Sequence, residues 1–310
     1  MSHIAVAIPC YNEEATIAQV VKDIKRVLPE ADIYVFNNNS SDKSARLAQD
    51  AGAVIYHVYQ RGKGKVMRAI FDTIQADVVL IMDGDGTYTV EEAPALLEPI
   101  LRGEVDMVVG NRLRAADKRS LIELHQFGNR LIVKTINFIF GTGYEDILSG
   151  YRAISRRCLE TVPLLTPGFE TETELTLQVL EEGLSVKEIP ISYHPRPDGS
   201  PSKLRPFHDG WRILMTIAIL LRDHHPLRVY GLLGIFFLLV AGTATILKFM
   251  APRGMEALPS SFLAGIIFLS APIGVITFGI GLVLSAVNTR LREMKQIICR
   301  NRTAYDRPRK

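Results

Sequence analysis

Two long apolar runs without a single charge, Val229–Leu247 and Ala257–Thr289, limit the fold of this chain more than any other feature. The first, roughly 19 residues, just crosses a hydrocarbon core of ~30 Å as a helix. The second, roughly 33 residues, exceeds the ~20 that one span needs. Core helices of soluble domains are rarely so long and charge-free, so two membrane spans are expected. A short linker with Pro252, Arg253, Gly254 and Pro259 separates them. The tail beyond carries Arg290, Arg292, Lys295, Arg300, Arg302, Arg307, Arg309 and Lys310 against Glu293 and Asp306. Basic flanks favour the cytoplasmic side. Two spans return the chain to the side where it began, so both termini are expected in the cytoplasm. Ahead of the spans, Phe207–Leu221 with Trp211, Arg212 and Arg222 reads as an amphipathic helix at the membrane surface.

The 47% hydrophobic content is therefore unevenly distributed, with most of the excess after Leu227. A net charge of +3 is too small to suggest a nucleic-acid partner. Cys10, Cys158 and Cys299 are widely spaced and odd in number, which fits a reducing compartment better than a disulfide or zinc framework. The N-terminal run Ile4–Ile8 is too short for a signal peptide and reads as a first strand.

From Ser2 to Met107 short β-branched runs alternate with amphipathic stretches. Strands are expected at Ile4–Ile8, Ile33–Phe36, Val54–Val58, Val78–Met82 and Met107–Val109. Helices are expected around Ala15–Val27, Asp42–Ala51, Lys65–Ile74 and Glu91–Leu101. This spacing predicts an α/β domain with a largely parallel sheet. Such sheets bind ligands beyond the carboxyl ends of their strands. Polar clusters fall there: Pro9–Glu14, Asn37–Asp42 and Asp83–Thr87. The segment from Arg112 to Pro206 is less regular.

Asp83-Gly84-Asp85-Gly86, after an apolar strand, places two carboxylates at i and i+2. Both can reach a hard divalent cation that also holds substrate phosphates. A solvated Asp-Gly turn uses the same residues, but the preceding buried strand favours metal binding. Arg61-Gly62-Lys63-Gly64-Lys65 opens the third helix and suits an anion such as pyrophosphate, or is simply a basic loop.

Taken together, these residues resemble inverting family-2 glycosyltransferases with the GT-A (Rossmann-like) fold. Ile8-Pro9-Cys10-Tyr11-Asn12-Glu13-Glu14 resembles their opening motif, Asn37–Asp42 their second cluster, and Asp83 with Asp85 their metal pair. Asp146–Arg152, Gly168–Glu174 and Tyr193–Lys203 are similar to the dolichol-phosphate-mannose synthase-like, polyprenyl-phosphate branch. The resemblance implies a nucleotide-sugar donor, a polyprenyl-phosphate acceptor and Mg²⁺ or Mn²⁺. It assigns Pro9, Tyr11, Asn12, Glu13, Asn37 and Asp42 to the nucleoside pocket, Lys63 to the donor phosphates, and Asp83, Gly84 and Asp85 to the metal–diphosphate site. Arg152, Arg196, Ser202 and Lys203 would meet phosphates of the donor or acceptor. Asn37 departs from the family, which usually has an aspartate there. Asp85, Asp146 and Arg152 are the catalytic candidates; Asp146 either orients or deprotonates the acceptor, or buttresses the Ser149–Arg152 loop. Asn37–Asp42 also fits a turn and helix cap, and Glu170, Glu172 and Glu174 a solvated edge, the less favoured reading.

The expected organisation is a GT-A catalytic domain over 1–205, an amphipathic juxtamembrane segment over 206–226, a two-helix transmembrane hairpin over 227–289 and a basic cytoplasmic tail over 290–310. A processive polysaccharide synthase would need a glutamine–x–x–arginine–tryptophan element and more spans; Trp211 is the lone tryptophan and lacks that context. A catalytically dead membrane adaptor is disfavoured by the presence of Asp83, Asp85, Arg152 and Lys203 together. The sugar, the base and the state of any homo-oligomer are not written in these motifs.

Overall fold

A computed structural model describes residues 2–113, 123–163, 171–195, 215, 218–219, 221–222, 225–250 and 259–305. The chain divides into two compact units, Met1–Ile217 and Ala218–Lys310.

The first unit is a three-layer α/β domain. Its strands are β1 (Ile4–Cys10), β2 (Asp32–Asn37), β3 (Val54–His57), β4 (Val78–Ile81), β5 (Met107–Asn111), β6 (Arg152–Ser155) and β7 (Val186–Pro190). They form one sheet in the order β3-β2-β1-β4-β6-β5-β7. All neighbouring pairs are parallel except those of β6, which runs antiparallel to both β4 and β5. The five expected strands are all present, each within two residues of its expected end. Helices α1 (Ile17–Val27), α2 (Ser44–Asp50), α3 (Lys63–Thr73) and α4 (Ala93–Leu101) occupy the expected gaps. The less regular segment adds α5 (Glu123–Phe140), α6 (Arg156–Thr161) and α7 (Thr171–Glu181), together with β6 and β7.

Strand alternation explains the layers. On β1, Val6, Ile8 and Cys10 face one side, where α1 lays down Ile17, Val20, Val21 and Ile24, and Leu96 and Leu97 of α4 join them. Ala5 and Ala7 face the other side, against Val66, Met67 and Ile70 of α3 and Leu175 and Val179 of α7. With both faces covered, β4 reads Val-Val-Leu-Ile and is buried throughout. The strand order reverses between β1 and β4, the position at which such sheets open a ligand crevice.

The second unit contains two apolar helices, Pro226–Met250 and Ser260–Tyr305. Both are long and apolar enough to cross a membrane. Their side chains are largely displayed rather than buried: Phe236 is 57% and Phe268 83% exposed. A soluble core helix would hide such residues, so lipid is the expected solvent for them. The second helix runs through the expected boundary at 289–290 without a break, because no glycine or proline follows the apolar run and Arg and Lys are good helix formers. The juxtamembrane stretch Phe207–Leu221 lies mostly outside the described residues, as does the linker apart from Pro259.

Small residues let the two helices approach closely. A Cβ built on Gly234 would come within 2.9 Å of the Gly274 carbonyl oxygen and the Phe278 backbone nitrogen, whereas one on Gly242 would meet nothing within 4 Å. Gly234→Leu should therefore destabilise the solubilised protein by about 1–3 kcal/mol, the usual cost of overpacking. Gly242→Leu should leave thermal unfolding in detergent unchanged. Equal effects of the two substitutions would contradict this helix packing.

Candidate active site

The crevice is assembled from loops that follow β1, β2 and β4. After β1 the chain turns through Asn12, in the left-handed region at φ 52°. The Asn12 amide N–H donates to Ser40 Oγ (3.1 Å), and its Oδ1 accepts from Ser41 N–H (2.9 Å). Glu13 N–H donates to Ser44 Oγ at 2.7 Å, and Glu14 N–H to Asp42 Oδ2 at 3.2 Å. These bonds stitch the first motif to the second, so Pro9, Tyr11, Asn12 and Glu13 share one wall with Asn37 and Asp42. Asp42 also accepts from Ser44 N–H and Oγ–H at the start of α2. Burial raises its pKa, but the bonds from Ser44 and Glu14 outweigh that and hold it below the ordinary carboxylate value. It accepts the first backbone N–H of α2 from one residue ahead of the N-cap position, which Lys43 occupies.

Asn37 is buried; its Oδ1 accepts from Ser40 N–H (3.2 Å) and its Nδ2 meets His57 Nδ1 at 3.3 Å. Asn38, not singled out from the sequence, braces the basic loop. Its Nδ2 donates to the Val58 and Gln60 carbonyls, and its Oδ1 accepts from Gly62 N–H at 2.8 Å. Gly62 takes φ 131°, a conformation closed to most side chains. This loop carries Arg61 over the Tyr11 ring, 5.3 Å from its centroid, and starts α3 at Lys63.

Lys63 is the electrostatic centre of the crevice. Its Nζ lies 2.8 Å from Asp83 Oδ1 and 2.6 Å from Glu172 Oε1. Burial lowers its pKa, but the two carboxylates outweigh that and raise it well above the ordinary lysine value. Asp85 is 4% exposed, and its Oδ1 accepts from Thr87 N–H (3.1 Å) and Oγ–H (2.7 Å). The Gly84 carbonyl accepts from Thr16 Oγ–H at 2.7 Å, tying the metal motif to the entrance of α1.

Antiparallel β6 enters beside the carboxyl end of β4, pairing Arg152 with Ile81, and so delivers Ser149-Gly150-Tyr151 against Asp83. A Cβ on Gly150 would lie 2.5 Å from Asp83 Oδ2 and 3.3 Å from Lys63 Nζ, so only glycine fits. Gly150 N–H donates to the Tyr88 hydroxyl at 3.1 Å. The Tyr88 ring packs tilted against Tyr151 and edge-on against Tyr193, 5.0 and 5.5 Å between centroids. The Tyr193-His194 segment crosses the metal loop, with His194 N–H donating to the Thr87 carbonyl.

Arg152 and Asp146 lie in the buried scaffold of the site. Arg152 was expected at a phosphate, yet it is 1% exposed and turned inward. Its donors go to the Ser149 carbonyl (2.8 Å), the Ile147 carbonyl (2.5 Å) and Thr176 Oγ1 (2.8 Å). Burial, only partly offset by Glu172 and Asp146, brings its pKa down to about 10. It shapes the Ile147–Ser149 loop. Asp146 is wholly buried, and both its oxygens are taken by Arg112: Nε to Oδ2 at 2.8 Å and Nη2 to Oδ1 at 2.9 Å. Burial raises its pKa, but the Arg112 charge and hydrogen bonds outweigh that and hold it below the usual value. A low-pKa carboxylate with no exposed face is a poor base, so the geometry matches the buttressing alternative. Glu172 and Glu174, read as a possible solvated edge, are instead buried in the first turn of α7. Glu170, Arg196, Ser202 and Lys203 lie outside the described residues.

Sequence reasoning left Arg112, Tyr88 and Glu172 off the site. Arg112 directly follows β5 at the same sheet edge as the other clusters, a position that could have marked it.

The domain defined by this sheet and crevice is of the GT-A-like class. Residues 5–162 match the family described as Glycosyl transferase family 2, and the chain belongs to that family. It is 35% identical to "Glycosyltransferase AglJ" of Haloferax volcanii over 92% of this chain and 91% of that one. It is 29% identical to "Dolichyl-phosphate hexose transferase" of the same organism over 69% of this chain and 92% of that one. Among solved structures, glucosyl-3-phosphoglycerate synthase from Mycobacterium tuberculosis in complex with Mn²⁺ and uridine-diphosphate-glucose superposes with a TM-score of 0.58. That match has 22% identity and covers 72% of this chain and 79% of that one. The chain is thus a family-2 glycosyltransferase.

The Arg112–Asp146 pair yields a stability prediction. Asp146→Asn leaves a buried guanidinium uncompensated and should cost about 3–5 kcal/mol. Because the folded pKa of Asp146 is depressed, its contribution is complete above the unfolded value near ~3.9 and disappears as pH falls through the folded value. Unfolding measured across this acid range should show wild type losing stability more steeply than Asp146→Asn. Parallel acid profiles would rule the pair out as a source of stability.

Proposed function

We propose that the chain transfers a single hexose-type sugar, with inversion, from a UDP- or GDP-sugar to a polyprenyl (dolichyl or undecaprenyl) phosphate at the cytoplasmic membrane face. The observation that carries this reading is Asp83 and Asp85 at the end of β4, beside Lys63 at the N-terminus of α3, in a chain that ends in two apolar helices. The named relative that acts on dolichyl phosphate supports the acceptor, and the neighbour crystallised with Mn²⁺ and uridine-diphosphate-glucose supports the donor.

The residues present fit a divalent cation. Two hard carboxylates at i and i+2 suit Mg²⁺ or Mn²⁺, and Gly150 keeps the space beside Asp83 Oδ2 free of a side chain. Among the described residues no three His, Cys, Asp or Glu side chains group as a ligand set, so the donor diphosphate and water would complete the coordination. When bound, the cation supplies charge stabilisation for the departing nucleoside diphosphate.

The remaining work falls to the chain. Pro9, Tyr11, Asn12, Glu13, Asn37 and Asp42 wall the nucleoside side of the crevice. Lys63 presents its ammonium to the diphosphate. Arg196, Ser202 and Lys203 are assigned from sequence to the acceptor phosphate, where charge-assisted contacts are strong. A phosphate oxygen forms the new bond to the anomeric carbon as the bond to the nucleoside diphosphate breaks, so an α-linked donor gives a β-linked lipid phosphate sugar. A phosphate monoester has its second pKa near ~6, so the nucleophile is already anionic and no residue need remove a proton.

Transfer should be measured with polyprenyl phosphate, free polyprenol and a soluble oligosaccharide, against a panel of labelled UDP- and GDP-sugars. The phosphorylated lipid should be the acceptor, chelator should stop turnover, and Asp85→Asn should reduce kcat by about 10²–10³-fold. Full activity in excess chelator, or equal use of free polyprenol, would sink the reading. If only Lys203→Ala behaves as wild type, its assignment alone falls.

The orientation has its own test. A cysteine at Ser260 should react with an impermeant thiol reagent from outside the cell, while one at Lys310 should be protected. The reverse labelling pattern would place the catalytic unit on the other side of the membrane.

A further inference from the structure

We infer that Glu172 is a positioning residue that keeps Lys63 anchored, so that Asp83 can release the lysine and take a divalent cation. The inference rests on the metal assignment proposed above and extends it to a residue outside that assignment.

Lys63 bridges two carboxylates that stand in different surroundings. The Asp83 side chain is 25% exposed, and its Oδ2 packs against Gly150, which brings no side chain to it. Glu172 is 8% exposed and belongs to the first turn of α7, flanked by buried Thr171 and Thr173. Among the described residues, these two carboxylates are the ion-pair partners of Lys63. A cation that binds Asp83 must compete with the ammonium already 2.8 Å from Oδ1.

Removing one partner from a buried charge is expensive unless another remains. Glu172, 2.6 Å away on a different element, is that second partner. With it, Lys63 can leave Asp83 without becoming an uncompensated buried charge, and it stays at the head of α3, where a diphosphate would meet it. Without it, the ammonium depends on Asp83 alone and opposes the cation more strongly. Glu172 would thereby set the affinity for metal through Lys63. A direct attraction between Glu172 and the cation is the competing account, and a double-mutant cycle separates the two.

The experiment is Mn²⁺ titration of the full-length solubilised protein, followed by loss of the free-Mn²⁺ paramagnetic signal, alone and with excess UDP or GDP. Wild type, Glu172→Gln, Lys63→Met and the double variant are compared, with thermal unfolding as the fold control. Glu172→Gln should weaken Mn²⁺ binding on the order of ten-fold, within the range of couplings between contacting residues. Lys63→Met should tighten binding of Mn²⁺ alone, because the competitor for Asp83 is gone. In the Lys63→Met background, Glu172→Gln should have no further effect. The same loss in both backgrounds would overturn the inference, since Glu172 would then act on the cation directly. Unchanged affinity in Glu172→Gln would overturn it as well. If Glu172→Gln does not fold, the Lys63→Met titration still decides, because failure to tighten refutes competition for Asp83. A wild type that binds no Mn²⁺ with either nucleotide would instead overturn the metal assignment itself, and this inference with it.

Discussion

Burying an ammonium among carboxylates is costly unless every charge is answered, and this requirement organises the crevice around Lys63. Its partners come from distant parts of the chain: Asp83 after β4 and Glu172 at the start of α7. Gly150, brought in by antiparallel β6, packs beside Asp83 without a side chain that would crowd the pair. A parallel neighbour of β4 would have presented its amino end at the opposite edge of the sheet. The reversal of one short strand is therefore what places the Ser149–Tyr151 loop within reach of the metal motif.

Around that centre the loops are cross-braced for a related reason. Turns at a sheet edge expose backbone N–H groups that water would otherwise satisfy, and here side chains of other loops satisfy them. Ser40, Ser44, Asp42, Asn12 and Asn38 each accept a backbone N–H from across the crevice or from the adjoining turn. A wall braced in this manner can be ordered before the donor arrives, which reduces the entropy lost on binding. The hairpin solves its own satisfaction problem differently. Each helix closes its backbone bonds internally, and glycines at 234 and 274 allow the two helices to pack closely.

The first half of the domain was legible because its signals are local. Short β-branched apolar runs marked β1 to β5, amphipathic stretches marked α1 to α4, and polar residues at strand ends marked the crevice. The region after Arg112 was less legible because its signals depend on tertiary partners. Strand β6 has four residues and begins with an arginine, so nothing in its pattern announces an interior strand. By resemblance Arg152 reads as a phosphate-binding group, and Asp146 as a residue that orients or deprotonates the acceptor or buttresses the loop. In the fold each is buried and compensated, by backbone carbonyls and Thr176 for one and by Arg112 for the other. Glu172 and Glu174 gave the same difficulty, since alternating charges near a helix start look like a solvated turn until the packing partner is known.

The fate of Asp146 bears on the chemistry proposed for the site. A sugar hydroxyl is weakly acidic, so an enzyme that glycosylates one benefits from a general base near the anomeric carbon. A lipid phosphate arrives already deprotonated and asks only for orientation and charge balance. A carboxylate held by Arg112 at both oxygens, wholly buried and depressed in pKa, contributes nothing to proton removal but fixes the loop that ends in Gly150. The remaining charged groups of the crevice suit binding an anion beside a cation better than removing a proton. Under the proposed reading, with Asp83 and Asp85 toward a cation and Lys63 toward the diphosphate, an acceptor that arrives deprotonated is compatible with one carboxylate being withdrawn into the scaffold.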